Sequence, residues 1–404
     1  MAPDRITADQ IAGRLPRTGR VWISGCSTDG PVLRGAWAGH RLPGLTFTGI
    51  FVPGLNDLTA VLDTGAGIET FFITPEMNAA SDQVRYLPFC YRDIGAHLRA
   101  APPDAAVVML ASPDADGLCS FGPVTDFIAD IWQQVPVLIA QINPALPATR
   151  GTPGIPFDRL TAVVEAESPL PQQDPGTDAT AQAIAAHVAR LIPDGATLQT
   201  GVGRIPEAVL RGLTGKRDLA IHSGLIGDST LDLLEAGALR PEAPITAGVA
   251  IGTDRIYGAI SRPEFAFRPP SHTHAIEVLA RIDPLVTVNS AIEVDLAGNV
   301  HAEATPRGPV SGPGGASDFA AGARGASDLR IIALPATAGK SRVSRIVPAG
   351  TGTGPVSLGR FDVDVVVTEN GVADLRGKGP AERRAALIRI ADPAHRNILS
   401  GEPE

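Results

Sequence analysis

The stretch that decides the fold is Asp194-Gly-Ala-Thr-Leu-Gln-Thr-Gly-Val-Gly-Arg-Ile-Pro206. Residues 196–200 predict a strand. Gly201 and Gly203 then predict a tight turn, and Pro206 is typical of the first turn of a helix. A strand that turns through glycines into a helix is half of a βαβ unit, whose strands run parallel. The stretch therefore predicts an α/β fold with a mainly parallel sheet.

The same alternation extends in both directions along the chain. The tetrapeptide Val-Leu-Arg-Gly occurs at 32–35 and again at 209–212, each time after a glycine-containing strand exit. This echo indicates two halves built on one βα plan. Further strands are predicted at 20–24, 70–74, 106–110, 135–142, 220–222, 244–252, 285–288, 329–334 and 363–368.

A segment rich in proline separates the two halves. The 404 residues fit two domains of about 200 residues each. Residues 165–177 hold three prolines and a glycine without apolar periodicity, and Asp178 is placed to cap a helix over 179–191. We predict an N-terminal domain over 1–164, a linker over 165–178 and a C-terminal domain over 179–404.

Composition excludes several classes of function. The net charge is −9 and no Lys/Arg-rich run occurs, which argues against a nucleic-acid partner. Three cysteines without close pairing predict neither a disulfide framework nor a CxxC metal site. No signal-like start and no apolar run of roughly 18 residues is present, so we expect a cytoplasmic protein without a membrane partner.

Glycine-rich segments are the first candidates for a site. The turn at 201–206 could hold an anion at the helix N-terminus, or be only a tight turn. Residues 306–325 lack periodicity and predict a long loop, in which 311–318 could present backbone N–H groups to a carbonyl oxygen or a phosphate, or simply be flexible. Cys26, after the first strand, is a candidate thiolate or a small buried residue.

Histidines give weaker signals. His272 and His274 would share one face of an extended segment, with Glu277 close behind. A metal site is one interpretation, but nothing nearby completes it, and polar surface or a supporting role beside a site fits such a pair better. We predict no metal.

Eight motifs, taken together, resemble one known family. Residues 142–151 (Ile-Asn-Pro-Ala-Leu-Pro-Ala-Thr-Arg-Gly), 311–315 (Ser-Gly-Pro-Gly-Gly) and 367–375 (Val-Thr-Glu-Asn-Gly-Val-Ala-Asp-Leu) are typical of it. The chain is similar, from about residue 15 to about residue 400, to the acetyl-CoA hydrolase/transferase family, which includes 4-hydroxybutyrate and butyrate:acetate CoA-transferases. The other motifs are 114–122, 194–206, 218–222, 288–295 and 344–348.

The resemblance implies a fold, a ligand and a site. It implies two similar open α/β domains, an active site in the cleft between them, and CoA contacts mostly from the C-terminal domain. The ligand would be coenzyme A as an acyl-CoA substrate, with a carboxylic acid as a second partner, in a homodimer or higher homo-oligomer. The positions that match the CoA and thioester site are Gly201, Gly203, Ile205, Pro206, Gly312, Gly314 and Gly315.

One departure from the family affects the chemistry. Family members attack the thioester with a glutamate two residues after a strand histidine, forming an anhydride and then a glutamyl-CoA thioester. Here the segment is Ile221-His-Ser-Gly224, with the register fixed by 232–237. Gly224 therefore occupies the nucleophile position, and glycine has no side chain that could attack.

The resemblance and the departure leave three hypotheses. The first is an acyl-CoA enzyme without a covalent intermediate (hydrolysis, decarboxylation or C–C cleavage), in which the glycine opens space for water or a larger acyl group. The second is a catalytically silent subunit or regulator that binds CoA esters, and the third is a transferase with a relocated carboxylate. The polar residues available to assist are His222, Ser223, Asp228 and Glu293, and Glu235 is a further nearby carboxylate.

Overall fold

A computed structural model describes residues 2–201 and 203–401, so Val202 in the glycine turn and the chain ends lie outside the described residues. The chain divides into two compact units. Unit 1 comprises Met1–Gln173 and Thr246–Thr273, and unit 2 comprises Asp174–Ile245 and His274–Glu404. The first division falls inside the predicted linker, 165–178. Residues 246–273, which the predicted domain boundaries assign to the C-terminal domain, lie in unit 1.

Unit 1 contains a parallel sheet with the order β1-β10-β8-β6-β2-β3-β4-β5. All residues of β6 are buried, as expected for a strand covered on both faces. The strands are β1 (Asp4–Arg5), β2 (Gly19–Ile23), β3 (Leu45–Gly49), β4 (Gly67–Thr70), β5 (Val84–Tyr86), β6 (Ala105–Ala111), β7 (Leu118–Cys119), β8 (Val137–Asn143), β9 (Ile155–Pro156), β10 (Ala162–Glu165), β13 (Ile245–Ala250) and β14 (Phe265–Phe267).

Short helices cover the sheet of unit 1 and close its apolar core. Trp37 meets Phe47 of β3 edge to face, with ring centroids 4.9 Å apart, and both belong to this core. The helices are α1 (Ile11–Arg14), α2 (Pro31–Gly35), α3 (Thr59–Asp63), α4 (Pro75–Ala79), α5 (Tyr91–Ala100), α6 (Phe127–Ile131), α10 (Asp254–Tyr257) and α11 (Pro270–Thr273).

Unit 2 contains strands in the order β12-β11-β15-β20-β24-β25, parallel except for the last pair. A smaller sheet has the order β17-β16-β23, and β18-β19 and β21-β22 are short antiparallel pairs. The strands are β11 (Thr197–Thr200), β12 (Ala220–Ile226), β15 (Leu285–Ser290), β16 (Glu293–Asp295), β17 (Val300–His301), β18 (Ala304–Thr305), β19 (Gly308–Pro309), β20 (Leu329–Ala333), β21 (Thr337–Ala338), β22 (Val343–Ser344), β23 (Ile346–Val347), β24 (Val365–Thr368) and β25 (Gly371–Asp374).

The predicted helix after the linker is confirmed. Asp178 accepts a hydrogen bond from the backbone N–H of Ala181 at 2.8 Å, and Ala181, Ile184, Ala185 and Val188 form the buried face. The helices of unit 2 are α7 (Ala179–Leu191), α8 (Arg204–Arg211), α9 (Ser229–Glu235), α12 (Ile276–Leu279), α13 (Ala316–Gly322), α14 (Pro380–Ile390) and α15 (Arg396–Ser400).

Two sequence predictions of local structure are wrong. The strand predicted at 70–74 is β4, which ends at Thr70, where the Thr70 side chain caps a bend by accepting from Phe72 N–H at 3.3 Å. The predicted loop 306–325 contains strand β19 and helix α13, whose Phe319 and Ala320 are buried. Burial of a few apolar residues overrides the glycine content there. Among the described residues, helices of the length and apolarity needed to cross a bilayer are absent.

Candidate active site

Strand β12 presents the residues around Gly224, the position that the sequence predicts to be the vacant nucleophile position. Side chains alternate along a strand, so His222 and Gly224 share one face and Ser223 lies on the other. The Ser223 hydroxyl donates to the carbonyl oxygen of Thr200 at 3.0 Å and accepts from its N–H at 3.4 Å. Ser223 therefore ties β12 to β11, whereas His222 is placed on the side of Gly224.

The space beside Gly224 is filled by His274. A Cβ at position 224 would lie 2.7 Å from Cε1 and 2.8 Å from Nε2 of the His274 imidazole. Carbon atoms do not approach ring atoms so closely without one of them moving. The expectation that glycine opens volume for water or a larger acyl group is therefore wrong: an imidazole from another segment occupies that volume.

A second glycine borders the same imidazole. A Cβ at Gly315, the residue before α13, would lie 2.3 Å from Nε2 and 2.4 Å from Cδ2 of His274. Phe319 of α13 packs on the ring, with centroids 4.7 Å apart and planes at 56°. The Nε2 edge of His274 thus lies between positions 224 and 315, and both positions need to be glycine for the ring to fit.

His274 is neutral in this setting. Burial, and to a smaller extent the charge of nearby His222, lower the pKa of His274 from 6.5 to about 3. At neutral pH a group with this pKa is protonated in only about one molecule in 10⁴. The ring therefore offers one N–H donor and one nitrogen acceptor, and it is a weak base.

The glycine turn of the sequence has the geometry of a βα turn. Gly203 has φ 118° and precedes α8, a backbone conformation that favours glycine. Gly201 donates its N–H to the carbonyl oxygen of Val288 at 3.2 Å. Ile205 and Pro206 are buried in the first turn of α8. The binding of CoA at these four positions stays a prediction.

The second glycine segment leads into α13. Gly312 is buried, Gly314 has φ 62°, and Gly315 is half-buried beside the imidazole. A positive φ at Gly314 explains why this position favours glycine, and the ring explains it at Gly315. Among the predicted CoA residues that the structure describes, Gly315 borders the same His274 ring as Gly224.

Of the candidate carboxylates, Glu293 has a defined structural partner. Glu293 is buried in β16, where Oε2 accepts from Thr353 N–H at 2.7 Å and Oε1 lies 3.3 Å from the Thr353 hydroxyl. Asp228 precedes α9 without a side-chain capping bond, and Glu235 is exposed at the end of that helix. The three atoms nearest to a Cβ at position 224 belong to His274 and Phe319 and not to any of these carboxylates.

Cys26 is not poised as a thiolate. It is buried in unit 1 with φ 48°, and its backbone N–H donates to the side-chain oxygen of Asn56 at 3.0 Å. Burial raises the pKa of the thiol, and the carboxylates of Asp126 and Asp29 raise it further. A thiol held protonated is a poor nucleophile, so its interpretation as a small buried residue fits the structure.

The histidine pair is not an extended segment. His272 lies in helix α11, whereas His274 follows in the turn before α12. Groups of three or more His, Cys, Asp or Glu side chains that could hold a metal ion are absent among the residues that the structure describes. The role of His274 beside Gly224 was missed, because one sequence does not show that residues 224, 274 and 315 meet.

Comparison with known proteins agrees with the fold and the motifs. Residues 252–402 match the acetyl-CoA hydrolase/transferase C-terminal domain. The chain is 37% identical over 315 residues to 4-hydroxybutyrate coenzyme A transferase of Clostridium kluyveri. The aligned region covers 74% of this chain and 72% of that protein.

Solved structures extend the likeness over nearly the whole chain. The crystal structure of RipA from Yersinia pestis superimposes with a TM-score of 0.90 at 25% identity, over 98% of this chain and 96% of that one. A 4-hydroxybutyrate CoA-transferase from Porphyromonas gingivalis superimposes with a TM-score of 0.82 at 28% identity, with the same coverage.

The parallel sheets, the glycine turns and these likenesses define an α/β enzyme with the CoA-transferase fold. The chain belongs to the acetyl-CoA hydrolase/transferase family, and CoA-thioester substrates fit this family.

Proposed function

We propose that this enzyme hydrolyses an acyl-CoA thioester at the Gly224 site without forming a glutamyl-CoA intermediate. The observation that carries the proposal is the imidazole of His274, which occupies the space where a side chain of residue 224 would project. A carboxylate at residue 224 and this imidazole exclude each other, so the covalent route of the family lacks its nucleophile.

The reaction needs only water as the acceptor. The water oxygen adds to the carbonyl carbon, and the electrons of the C=O bond move to its oxygen. The C–S bond then breaks, the carbonyl re-forms, and the CoA thiolate takes up the proton released by the water. The products are one carboxylic acid and one CoA. Backbone N–H groups around Gly312–Gly315 are the proposed donors that stabilise the oxyanion.

A transferase that uses a relocated carboxylate is less well supported than hydrolysis. Glu293 is held by Thr353, and Asp228 and Glu235 belong to the ends of α9, so a relocated nucleophile has no support from geometry. The carboxylic acid acceptor, the homo-oligomeric state and the cytoplasmic location predicted from the sequence stay predictions.

Thiol release tests the proposal. Purified protein is incubated with acetyl-, butyryl-, 4-hydroxybutyryl- and succinyl-CoA, and free thiol and free acid are measured with and without added acetate. We expect equal amounts of thiol and acid from at least one ester, no acceleration by acetate, and no acyl or CoA adduct on acid-quenched protein by intact-mass spectrometry. A CoA adduct would establish a relocated carboxylate, and binding without any thiol release would establish a silent subunit.

A further inference from the structure

We propose that His274 meets the acyl thioester in place of the missing carboxylate, with its Nε2–H donating a hydrogen bond to the thioester carbonyl oxygen. The inference rests on the proposed function for the reaction, but its central claim concerns contact with the carbonyl group.

Position is the first argument. The Nε2 edge of the imidazole lies beside the two backbone positions, 224 and 315, that stand at the vacant nucleophile position and at the end of the glycine segment 312–315. The backbone at both positions is half-buried, whereas the ring behind them is buried. A carbonyl group that reaches these glycines therefore reaches Nε2, because neither glycine has a side chain to shield it.

Burial and packing are the second argument. The ring of Phe319 packs against the imidazole at a tilt of 56°, with centroids 4.7 Å apart, and restricts its orientation, so the imidazole is pre-organised before any ligand binds. A donor that is already oriented needs no rearrangement when charge develops on the carbonyl oxygen, and this is the condition under which an oxyanion donor is most effective.

The protonation state decides between two roles for the ring. Because burial keeps the pKa of His274 low, the ring is a poor proton acceptor for an attacking water. A neutral imidazole instead polarises a carbonyl through its N–H, as neutral histidines do in other enzymes. His274 is therefore a hydrogen-bond donor and not the general base.

Two substitutions distinguish the effect of the His274 N–H group from the effect of the imidazole ring. His274→Gln keeps an N–H group near the position of Nε2 but removes the imidazole, and His274→Ala removes both. His301→Ala is the packing control, since His301 is also buried in unit 2 and also abuts a glycine: a Cβ at Gly352 would lie 2.1 Å from its Nε2. Thermal unfolding of each variant establishes that it is folded.

The readout is binding that depends on the carbonyl oxygen. Affinities are measured by calorimetry for S-ethyl-CoA, which lacks this oxygen, and for the ketone analogue of acetyl-CoA in which a methylene group replaces the thioester sulfur. We expect His274→Ala to weaken the ketone by about fivefold to tenfold and S-ethyl-CoA by less than about twofold. His274→Gln and His301→Ala should keep the wild-type ratio of the two affinities.

The outcomes separate this inference from the proposed function. Unchanged ketone binding in His274→Ala, or the same loss in His274→Gln, would overturn the donor role even if the wild type hydrolyses thioesters. A selective loss of ketone binding in a protein that releases no thiol would support the contact and overturn hydrolysis. In an active enzyme, kcat should fall more than KM rises in His274→Ala, because the hydrogen bond strengthens in the transition state.

Discussion

Nε2 of His274 lies only 2.3 Å from the position that the Cβ of an alanine at residue 315 would take. Gly224 stands in a similar relationship to the same ring, at 2.7 Å from Cε1. Neither glycine has a positive φ, so an alanine at either position is opposed by the ring and not by the backbone.

Alanine at position 224 or 315 should therefore destabilise the protein, because its Cβ would clash with the His274 imidazole. We expect Gly224→Ala and Gly315→Ala each to lower the free energy of unfolding by about 1–3 kcal/mol, because the ring must leave its packed position. Chemical denaturation measures the change. In the double variants with His274→Ala the glycine substitution should be nearly neutral or stabilising, and a double-mutant cycle without coupling would contradict the packing.

Restoring the carboxylate should require two substitutions. We expect Gly224→Glu alone to give no CoA transfer to acetate, because the glutamate and the imidazole compete for one volume. Gly224→Glu combined with His274→Ala should form an enzyme adduct of the mass of CoA minus water, detectable on the intact protein. If the single variant transferred CoA as fast as the double variant, the His274 ring would be able to move aside at little cost, and the prediction would be wrong.

Glu293 should support structure and not act as a nucleophile. Glu293→Gln keeps an acceptor for the Thr353 N–H, so we expect hydrolysis to change by less than about tenfold. Glu293→Ala should lower the melting temperature, because the half-buried Thr353 N–H loses its partner. A loss on the order of 10⁴-fold in Glu293→Gln, with unchanged stability, would instead identify a covalent role.

Asp126 should make unit 1 less stable as the pH rises. Burial raises the pKa of this carboxyl from 3.8 to about 7, so the folded state holds a proton that the unfolded state has released. Its contribution is complete below pH 3.8 and is lost as the pH rises through about 7, by on the order of 4 kcal/mol at most.

The variant Asp126→Asn isolates the effect of Asp126 ionisation on stability. Its amide oxygen can still accept from Ile128 N–H, as Asp126 does at 3.1 Å. We expect the stability of Asp126→Asn relative to wild type to increase between pH 4 and pH 7, as measured by urea unfolding across that range. Asp82→Asn, at an exposed aspartate, is the control and should show no such trend. A difference independent of pH would contradict the buried titration.

Local sequence predicted those parts of the fold that depend on local chemistry. The helix 179–191 begins after a capping aspartate and repeats its apolar residues at helical spacing, so its bounds were predicted without tertiary information. Most strands were found within a few residues, because buried parallel strands are continuous apolar runs. Helix α13 was missed because glycines and prolines dominate its surroundings.

The sequence proposed site residues at the positions that carry family motifs, but it gave no signal that His274 packs against Gly224. Gly224 was assigned to the nucleophile position because its neighbours fix the register of the strand, and this assignment stays a prediction. His274 lies 50 positions away along the chain in a pair that suggested polar surface, and only folding brings it against Gly224. Ser223 was named as an assistant because it is adjacent in sequence, but strand alternation turns it toward Thr200.

The mutual exclusion of a side chain at 224 and a ring at 274 also constrains how this enzyme could change by mutation. If residue 224 becomes glutamate first, its side chain clashes with the His274 ring. If His274 is first replaced by a smaller residue, a cavity is left beside Phe319. We expect each intermediate to be less stable than the present enzyme, so exchange between the two chemistries requires spare stability elsewhere in the fold.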